Sequence, residues 1–340
     1  MERTRQVQCS ASEPVRYDGD DETDKIVALA GLGPLAEYTD RLGVTGGFAG
    51  AVPYSGPGIP VVDRGALLVH GLLMLNAGGD CCTDLAMVQA AEGVLGDVGS
   101  DTTFRRMIAD FAKTPGSTGA IDDVMAEART SVWAEHGWSD PGRRVTLDID
   151  ATLTRVHSEK EDAKGNYKRG YGFHPVACFA DCSGEALAVE HRPGNAGANT
   201  IADLVGIVDA GLDALPESVA RSHRPGAVAA DAANEILVRS DSAGHTLGFM
   251  WDMWDRNVRF CVTGRSNTIL SSVILSFDDN TNWEQALEPH NVDLDDEHSD
   301  VDARKAQVVE VTDDPAIARW VGLKKRPKDD LDVRYPPGTR

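Results

Sequence analysis

Apolar residues follow a helical period in the first part of the chain. Between residues 24 and 140 they recur at spacings of three and four, which predicts an all-helical domain over this range. Asp63 and Ser100 precede two of the helices and have the side chains that N-caps favour. The expected helices span residues 24–44, 83–91, 100–113 and 122–136, with a break at Gly46–Gly47 and, after Asp63, a helix that buries Leu67, Leu68, Leu72 and Leu75.

A strand period replaces the helical one from Arg144 onward. Val145–Asp150 alternates, so that Thr146, Asp148 and Asp150 share one face of a strand. The later elements are expected to be strands at 172–180, 185–190, 236–241 and 259–263, with helices at 200–215 and through Met250–Trp254. This order predicts a fold of the α+β or α/β class over residues 141–275, with a ribonuclease H-like mixed sheet whose first and fourth strands are neighbours.

Charge and cysteine content restrict the setting of the protein. The formal net charge of the 340 residues is −21, without the basic excess that nucleic-acid binders usually carry. We expect residues 1–23 to form a disordered acidic tail and residues 276–340, which include a strand-like run at 306–311, to begin an insertion region. The six cysteines form no CxxC pair, and no apolar run is long enough to span a bilayer. We therefore expect a cytoplasmic, nucleoid-associated protein without a membrane segment.

Carboxylates end two of the predicted strands. Asp148 and Asp150 lie at the end of the first strand, and Asp241 ends the fourth. If those strands are neighbours, their carboxyl ends bring Asp150 and Asp241 together, with Asp148 a close second candidate. Oxygen ligands suit Mg²⁺ or Mn²⁺, and a pair of such ions can clamp the attacking and leaving oxygens in phosphoryl transfer.

Three groups of residues are candidates for contact with DNA. Arg105 and Arg106 lie early in the helix capped by Ser100, where they could enter a groove. Lys164, Lys168 and Arg169 lie in a basic and aromatic segment that could meet a phosphate backbone. Arg192 and Asn195 belong to a glycine-containing loop that opens onto a helix N-terminus and could cradle a phosphate. Each group also has an ordinary explanation: a surface arginine pair, a hairpin edge kept polar against aggregation, and a simple turn, respectively.

Five motifs occur in an order and spacing that resemble one known family. They are Leu147-Asp-Ile-Asp-Ala-Thr-Leu153, Ser158-Glu-Lys-Glu161, Tyr167-Lys-Arg-Gly-Tyr-Gly-Phe-His-Pro175, Arg192-Pro-Gly-Asn-Ala-Gly-Ala-Asn-Thr200 and Val238-Arg-Ser-Asp-Ser242. Together they are similar to the DDE transposases of the IS1380 insertion-sequence family. The resemblance implies DNA transposition by a ribonuclease H-like domain with two Mg²⁺ ions, with Asp150 and Asp241 as the first two catalytic acids. It also implies that the terminal inverted repeats of the element are the DNA partner and that the protein is a homodimer.

This chain departs from the family pattern at the third catalytic acid. The family's glutamate, in a Tyr-x₂-Arg-x₃-Glu-like setting, has no matching motif here, and Glu284 and Glu288 are the nearby glutamates on a predicted helix. We therefore expect a truncated transposase of doubtful activity. A DNA-binding remnant without chemistry is one alternative.

A haloacid-dehalogenase-like phosphatase is a second alternative. In that class Asp148 would be the nucleophile and Asp150 the general acid and base. Phe260–Gly264 would then form the second motif of that class, and Asp278–Asp279 would hold Mg²⁺. The lysine that this chemistry needs is absent between Thr263 and Asp278. The predicted hairpin after the aspartates also does not suit a parallel sheet.

Overall fold

A computed structural model gives the structure of the chain in two compact units. It describes residues 29–54, 56, 59–157, 159–196, 200–228, 231–264, 268–275, 284–285 and 307–308. One unit comprises the residues up to Asp140 together with Asp213–Ser218, and the other comprises the rest. The predicted tail at 1–23, Glu288, Asp278–Asp279 and most of the predicted insertion region lie outside the described residues.

Helices build the described part of the first unit. Their apolar faces enclose a core that includes Phe48, Leu67, Leu73, Leu85 and Leu95. The helices are α1 (Leu32–Arg41), α2 (Val44–Ala51), α3 (Arg64–Asn76), α4 (Leu85–Gln89), α5 (Glu92–Leu95), α6 (Asp101–Phe111) and α7 (Ser117–Glu135), with a 3₁₀ turn at Cys82–Asp84. Among the described residues, no helix is both long enough and apolar enough to cross a lipid bilayer.

The two predicted N-caps are confirmed in this unit. The Asp63 side chain accepts hydrogen bonds from the Gly65 and Ala66 amides at the start of α3. The Ser100 hydroxyl accepts one from the Thr103 amide at the start of α6. These bonds satisfy amides that the first turn of a helix leaves without partners.

Two predictions for this unit are wrong. The expected break at Gly46–Gly47 is not present, since both glycines lie inside α2. Glycine at position 47 allows α2 to approach Val124 closely, because an added Cβ would lie 2.7 Å from that side chain. The predicted stripe of α3 is also displaced: Leu72 and Leu75 are exposed, whereas Leu73 and Met74 are buried. With leucines on both sides of this helix, the apolar period alone does not identify the buried face.

A mixed five-stranded sheet is the centre of the second unit. Its order is β6-β5-β1-β7-β8, with β1 antiparallel to β5 and parallel to β7, which in turn is parallel to β8. The strands are β1 (Arg144–Ala151), β2 (Thr154–Arg155), β3 (Lys164–Gly165), β4 (Tyr171–Phe173), β5 (Val176–Ala180), β6 (Ala186–Glu190), β7 (Glu235–Ser240), β8 (Arg259–Val262), β9 (Glu284–Gln285) and β10 (Gln307–Val308). The helices are α8 (Ile201–Ala214), α9 (Glu217–Ala220), α10 (Leu247–Asp255) and α11 (Thr268–Leu275), with a 3₁₀ turn at Ser242–Gly244. The end of α8 and the start of α9 belong to the first unit. This order, with the first and fourth strands of the predicted series side by side, is ribonuclease H-like.

Helix α8 packs on one face of this sheet. Leu204, Val208 and Leu212 of the helix are fully buried, and Gly211 comes so close that an added Cβ would lie 2.5 Å from the Cys178 sulfur. The opposite face carries Asp148 and Arg239 at in-register positions. The sheet therefore has an apolar face under α8 and a charged face that holds the predicted site.

Several predicted elements have different bounds or types. The expected strand at 172–180 is divided at His174–Pro175, so that its first part pairs with β2 and β3 in a separate three-stranded sheet. The expected helix at 83–91 begins as the 3₁₀ turn, and the helix at 122–136 begins earlier, at Ser117. Glu284 lies in the short strand β9, which pairs with β10, and not in a helix.

Candidate functional site

The register between β1 and β7 places Asp150 beside Asp241. Asp148 pairs with Arg239 and Ile149 with Ser240, so the next positions along the two parallel strands are Asp150 and Asp241. Neighbouring strands lie about 4.8 Å apart, and in-register residues of parallel strands point to the same face. Two carboxylates from strands far apart in the sequence therefore occupy neighbouring positions at the carboxyl ends of β1 and β7.

Each of these carboxylates has one oxygen fixed and one free for another ligand. Asp150 Oδ1 accepts a hydrogen bond of 2.8 Å from the Ala151 amide, and Asp241 Oδ1 accepts one of 2.8 Å from the Ala243 amide. Within the described part of the chain, neither Oδ2 atom has a hydrogen-bond or ion-pair partner. Exposed carboxylate oxygens of this kind fit a hard divalent cation.

Asp148 has very different surroundings, although it shares the strand and the face with Asp150. Arg239 Nε and Nη2 donate hydrogen bonds of 2.6 Å to its two carboxylate oxygens, and Nη2 donates another of 2.7 Å to Asp181. The hydrogen bond with Asp148 is the main reason that the pKa of Arg239 lies above its ordinary value. Because both oxygens of Asp148 are held by a permanent cation, the geometry favours Asp150 over Asp148 as a metal ligand.

The same contacts oppose the phosphatase alternative. A nucleophilic Asp148 would need an oxygen free to attack phosphorus, whereas both of its oxygens are bound by Arg239. The sheet is mixed, with the β5–β6 hairpin directly beside β1, and that class requires a parallel, doubly wound arrangement. The structure therefore contradicts this alternative.

A third metal ligand is not found beside Asp150 and Asp241 among the residues that the structure describes. Among the described residues, the group of three whose potential metal-ligand atoms lie close together is Asp80, Cys81 and Asp84, in the helical unit. Asp84 there accepts hydrogen bonds from the Asp80 and Cys81 amides, which lower its pKa. These bonds make it the local cap of a 3₁₀ turn.

The predicted DNA contacts divide into exposed and buried residues. Arg106, Lys164, Lys168, Arg169 and Asn195 are exposed. Arg105 is exposed as well and forms an ion pair of 2.5 Å with Asp101 one helical turn earlier.

Arg192 is the exception among the predicted DNA contacts. Its side chain is only 6% exposed, donating to the His174 carbonyl oxygen at 3.0 Å and to Asp203 at 3.0 Å. These contacts fix the loop between β6 and α8. The burial of Arg192 favours a structural role over contact with DNA.

Sequence reasoning missed two features near the site. Arg239 lies within the Val238–Ser242 motif but had no role assigned to it, and Asp181 belongs to no motif, because their link to Asp148 requires three strands to be aligned. Arg155 lies at the start of the basic segment and was overlooked, although it lines a cavity beside Asp150 together with Tyr167 and Lys168. The signal available for Arg155 was its position five residues after Asp150.

The mixed sheet and its paired carboxylates define a protein of the ribonuclease H-like class. A sequence profile described as "Transposase DDE domain group 1" matches residues 11–307, and the chain belongs to this family of transposases. No curated protein sequence matches the chain significantly.

Solved structures of Mos1 transposase complexes are weakly similar to the chain. A pre-cleavage Mos1 transpososome is 13% identical, with 61% of this chain and 60% of that chain covered and a TM-score of 0.23. A Mos1 mariner paired-end complex with Mn is 11% identical, with 75% of each chain covered and a TM-score of 0.22. The chain spans about 60% of the first Mos1 chain it matches. The ribonuclease H-like fold of the chain follows from the strand order of its sheet.

Proposed function

We propose that this chain is a DDE transposase of the IS1380 type that uses Asp150 and Asp241 to bind Mg²⁺ or Mn²⁺. The observation that carries the proposal is the register of β1 and β7, which makes the two carboxylates neighbours at the carboxyl ends of parallel strands. The family generally uses divalent metals. When bound, the metal would stabilise the charge that develops on the oxygens during phosphoryl transfer.

The residues around the two aspartates have positioning roles in this proposal. The Ala151 and Ala243 amides each hold one carboxylate oxygen, so that the other oxygen points away from the backbone. Arg239 keeps Asp148 from competing for the metal, because it occupies both oxygens of that carboxylate. The metal site is therefore formed by two carboxylates, and a neighbouring third is neutralised within the protein.

The proposed partner is DNA, in particular the terminal inverted repeats of the parent element, bound by a homodimer. The exposed Arg105 and Arg106, early in α6, support entry into a groove. The exposed side chains of Lys164, Lys168, Arg169 and Asn195 support phosphate contacts. Such contacts position the duplex without reading its sequence. In this setting the protein would work at the nucleoid.

A second candidate function is DNA binding without chemistry. It is favoured by one observation: among the described residues, no third carboxylate lies close to Asp150 and Asp241. A third ligand completes a two-metal site and fixes its geometry. Under this candidate the chain binds a cation and DNA but cuts strands slowly or not at all.

Metal titration of single variants tests the proposal. We expect Mn²⁺ binding, followed by calorimetry or paramagnetic resonance, to weaken at least tenfold in Asp150→Asn and in Asp241→Asn. The matched control is Asp148→Asn, which changes the same residue type on the same strand and face and should retain the binding. Equal losses in all three variants would show that the metal does not distinguish Asp150 from Asp148, contrary to the proposal.

DNA cleavage then separates the two candidate functions. The chain is incubated with Mn²⁺ and a duplex that carries an element end, and strand products are measured for the wild type and Asp150→Asn. Cleavage that disappears in the variant supports the transposase reaction. Metal-dependent binding without cleavage supports the second candidate.

A further inference from the structure

A cavity of about 290 Å³ opens beside Asp150 in the second unit. Residues 151–153 and Arg155 line it on one side, and residues 166–168 line it on the other. Since Ala151 directly follows Asp150, the cavity begins one residue away from a proposed metal ligand. Its volume lies near the lower limit of ligand pockets, about 300 Å³, which suits a ligand the size of one nucleotide.

The turn on one side of the cavity is held by its own hydrogen bonds. Asn166 Oδ1 accepts from the Lys168 amide at 3.0 Å and from the Gly170 amide at 2.9 Å, and the Asn166 amide donates to the Gly170 carbonyl oxygen at 2.8 Å. Arg169 adopts a φ of 62°, which closes the turn. Tyr167 and Lys168 are thus presented at the tip of an ordered turn, where a preformed surface lowers the entropy cost of binding.

The cations that line the cavity, and those near them in the sequence, have no acidic partner among the described residues. Arg155, Lys164, Lys168 and Arg169 form no ion pair within the described part of the chain. Other arginines there are paired with carboxylates, and these include Arg64, Arg144, Arg239, Arg256 and Arg259. Of these four cations, Arg155 and Lys168 line the cavity, and two unpaired positive charges in its wall suit an anionic ligand.

Tyr167 adds an aromatic surface to this charge. Its side chain is 72% exposed, and the Lys168 ammonium lies 5.6 Å from the centre of its ring. An exposed ring beside a cation is the combination that binds unpaired nucleotides, because the ring stacks on a base and the cation contacts the phosphate. A paired duplex could use the cations, but its bases would remain stacked on one another and out of reach of the ring.

We propose that this cavity receives one unpaired nucleotide of the DNA strand that passes Asp150. The base stacks on the Tyr167 ring, and the adjoining phosphate contacts Lys168 and Arg155. The inference rests on the proposed function, because it needs a DNA strand at the metal site. A free nucleotide has the same chemistry, but the position beside Asp150 assigns the ligand to a continuous strand.

Binding of fluorescently labelled oligonucleotides without metal tests this assignment. The probes are a single-stranded oligonucleotide and a blunt duplex of the same sequence, each titrated with the full chain in EDTA. We expect Tyr167→Ala to weaken binding of the single strand about tenfold and to leave the duplex nearly unchanged. Tyr167→Phe keeps the ring and should retain the wild-type affinity, whereas Lys168→Gln should weaken both probes because it removes a phosphate contact.

The matched control is Tyr171→Ala. Tyr171 is 41% exposed and belongs to the same three-stranded sheet, but it does not line the cavity. We expect this variant to bind both probes as the wild type does.

Four outcomes would overturn the inference. An unchanged affinity of Tyr167→Ala for the single strand, or equal losses for both probes, would show that the ring does not stack on an unpaired base. A loss in Tyr171→Ala as large as that in Tyr167→Ala would show that the effect is not specific to the cavity. Displacement of the single strand by an equal nucleotide concentration of thymidine monophosphate would assign the cavity to free nucleotides.

The proposed function fails in a different way. If the unaltered chain bound neither probe, DNA binding itself would be refuted, and the inference would fall with it. If it bound both probes but Tyr167→Ala behaved as the wild type, only the inference would fail.

Discussion

Arg239 shows how one side chain can decide which carboxylate of a strand is available. It joins Asp148 to Asp181, and the three side chains are 45%, 36% and 55% exposed. Solvent therefore screens much of the attraction, although the two-pronged geometry with Asp148 is the favourable one for an arginine. The contact lies two residues before Asp150 and Asp241 on the same face of the sheet, so its loss would release a carboxylate beside the proposed metal.

We predict that Arg239→Met lowers the free energy of unfolding by about 1 kcal/mol at low salt. The cause is that Asp148 and Asp181 lose a shared counter-ion, and added salt should reduce the effect because it screens exposed charges. Urea unfolding at two salt concentrations measures it. Arg105→Met, which removes an exposed pair within one helix, is the control and should change stability less; an equal change would contradict the prediction.

His223 is a buried residue whose protonation should affect folding. Its Nδ1 lies 2.9 Å from the Asn257 carbonyl oxygen and its Nε2 lies 3.0 Å from that of Asn234. Burial lowers the pKa of this imidazole below its ordinary value of 6.5, although the two carbonyl groups act in the opposite direction. The folded protein therefore favours the neutral ring more than the unfolded chain does.

The sign of the pH dependence follows from that shift. A lowered folded-state pKa contributes stability that is present above pH 6.5 and is lost as the pH falls towards the folded-state pKa. We predict that the wild type is less stable at pH 5.5 than at pH 7.5 and that His223→Gln reduces this difference. Unfolding by urea across about pH 5–8 measures it, with the exposed His157→Gln as control. A difference as large in His223→Gln as in the control would contradict the prediction.

Among the elements, α8 depends on a glycine for its approach to the sheet. A side chain at Gly211 would lie 2.5 Å from the Cys178 sulfur, whereas one at Gly206 of the same helix would meet nothing within 4 Å. Burial raises the pKa of the Cys178 thiol to about 12, so this sulfur is a neutral packing group at ordinary pH.

We predict opposite effects for two identical substitutions in this helix. Gly211→Ala should destabilise the protein by about 1–3 kcal/mol, because the helix or the strand must shift. Gly206→Ala should stabilise it by up to about 1 kcal/mol, because alanine is the better helix former. Thermal or urea unfolding compares them. Destabilisation of similar size in both variants would show that close approach to Cys178 is not the cause.

The sequence predicted the sheet better than the orientation of single helices. Alternation along Val145–Asp150 places one set of residues on each face, and a period of two leaves little freedom in that assignment. Helix α3, in contrast, has leucines on both sides, and neighbouring helices rather than the period select Leu73 over Leu72.

Only part of the candidate site could be predicted from the sequence. Asp150 and Asp241 could be paired from strand order alone. The burial of Arg192 and the clamp on Asp148 could not, because both depend on contacts with residues far away in the sequence.

For the whole molecule, the net charge of −21 disfavours the binding of a polyanion such as DNA. The affinity for DNA therefore depends on local clusters of positive charge. We predict modest DNA affinity that falls steeply with salt. Replacing Lys164, Lys168 and Arg169 by glutamine should reduce the slope of log K against log salt by about 2–3, since each phosphate contact contributes about 0.9. Titrations at several salt concentrations measure the slope, and an unchanged slope would exclude these side chains from the interface.

Recognition of a specific sequence is a separate property of the whole chain. We predict that Arg105→Ala/Arg106→Ala removes the preference for element ends over random DNA in a gel shift. The reason is that both exposed arginines lie in the first turns of α6, where a helix can present them to a groove. Equal retardation of both DNAs by the wild type would refute specific recognition.

The pairing of β1 with β7 also has a consequence for how the chain folds. The hydrogen-bonded partners Asp148 and Arg239 are 91 residues apart, and so are Asp150 and Asp241. Closing a loop of that length is entropically costly, and contacts of such high sequence separation slow folding. The carboxylate pair therefore cannot form before the central strands dock. Stopped-flow refolding with a luminescent lanthanide would then show metal capture only in the slowest phase, which makes the ion a reporter of the last step towards the native state.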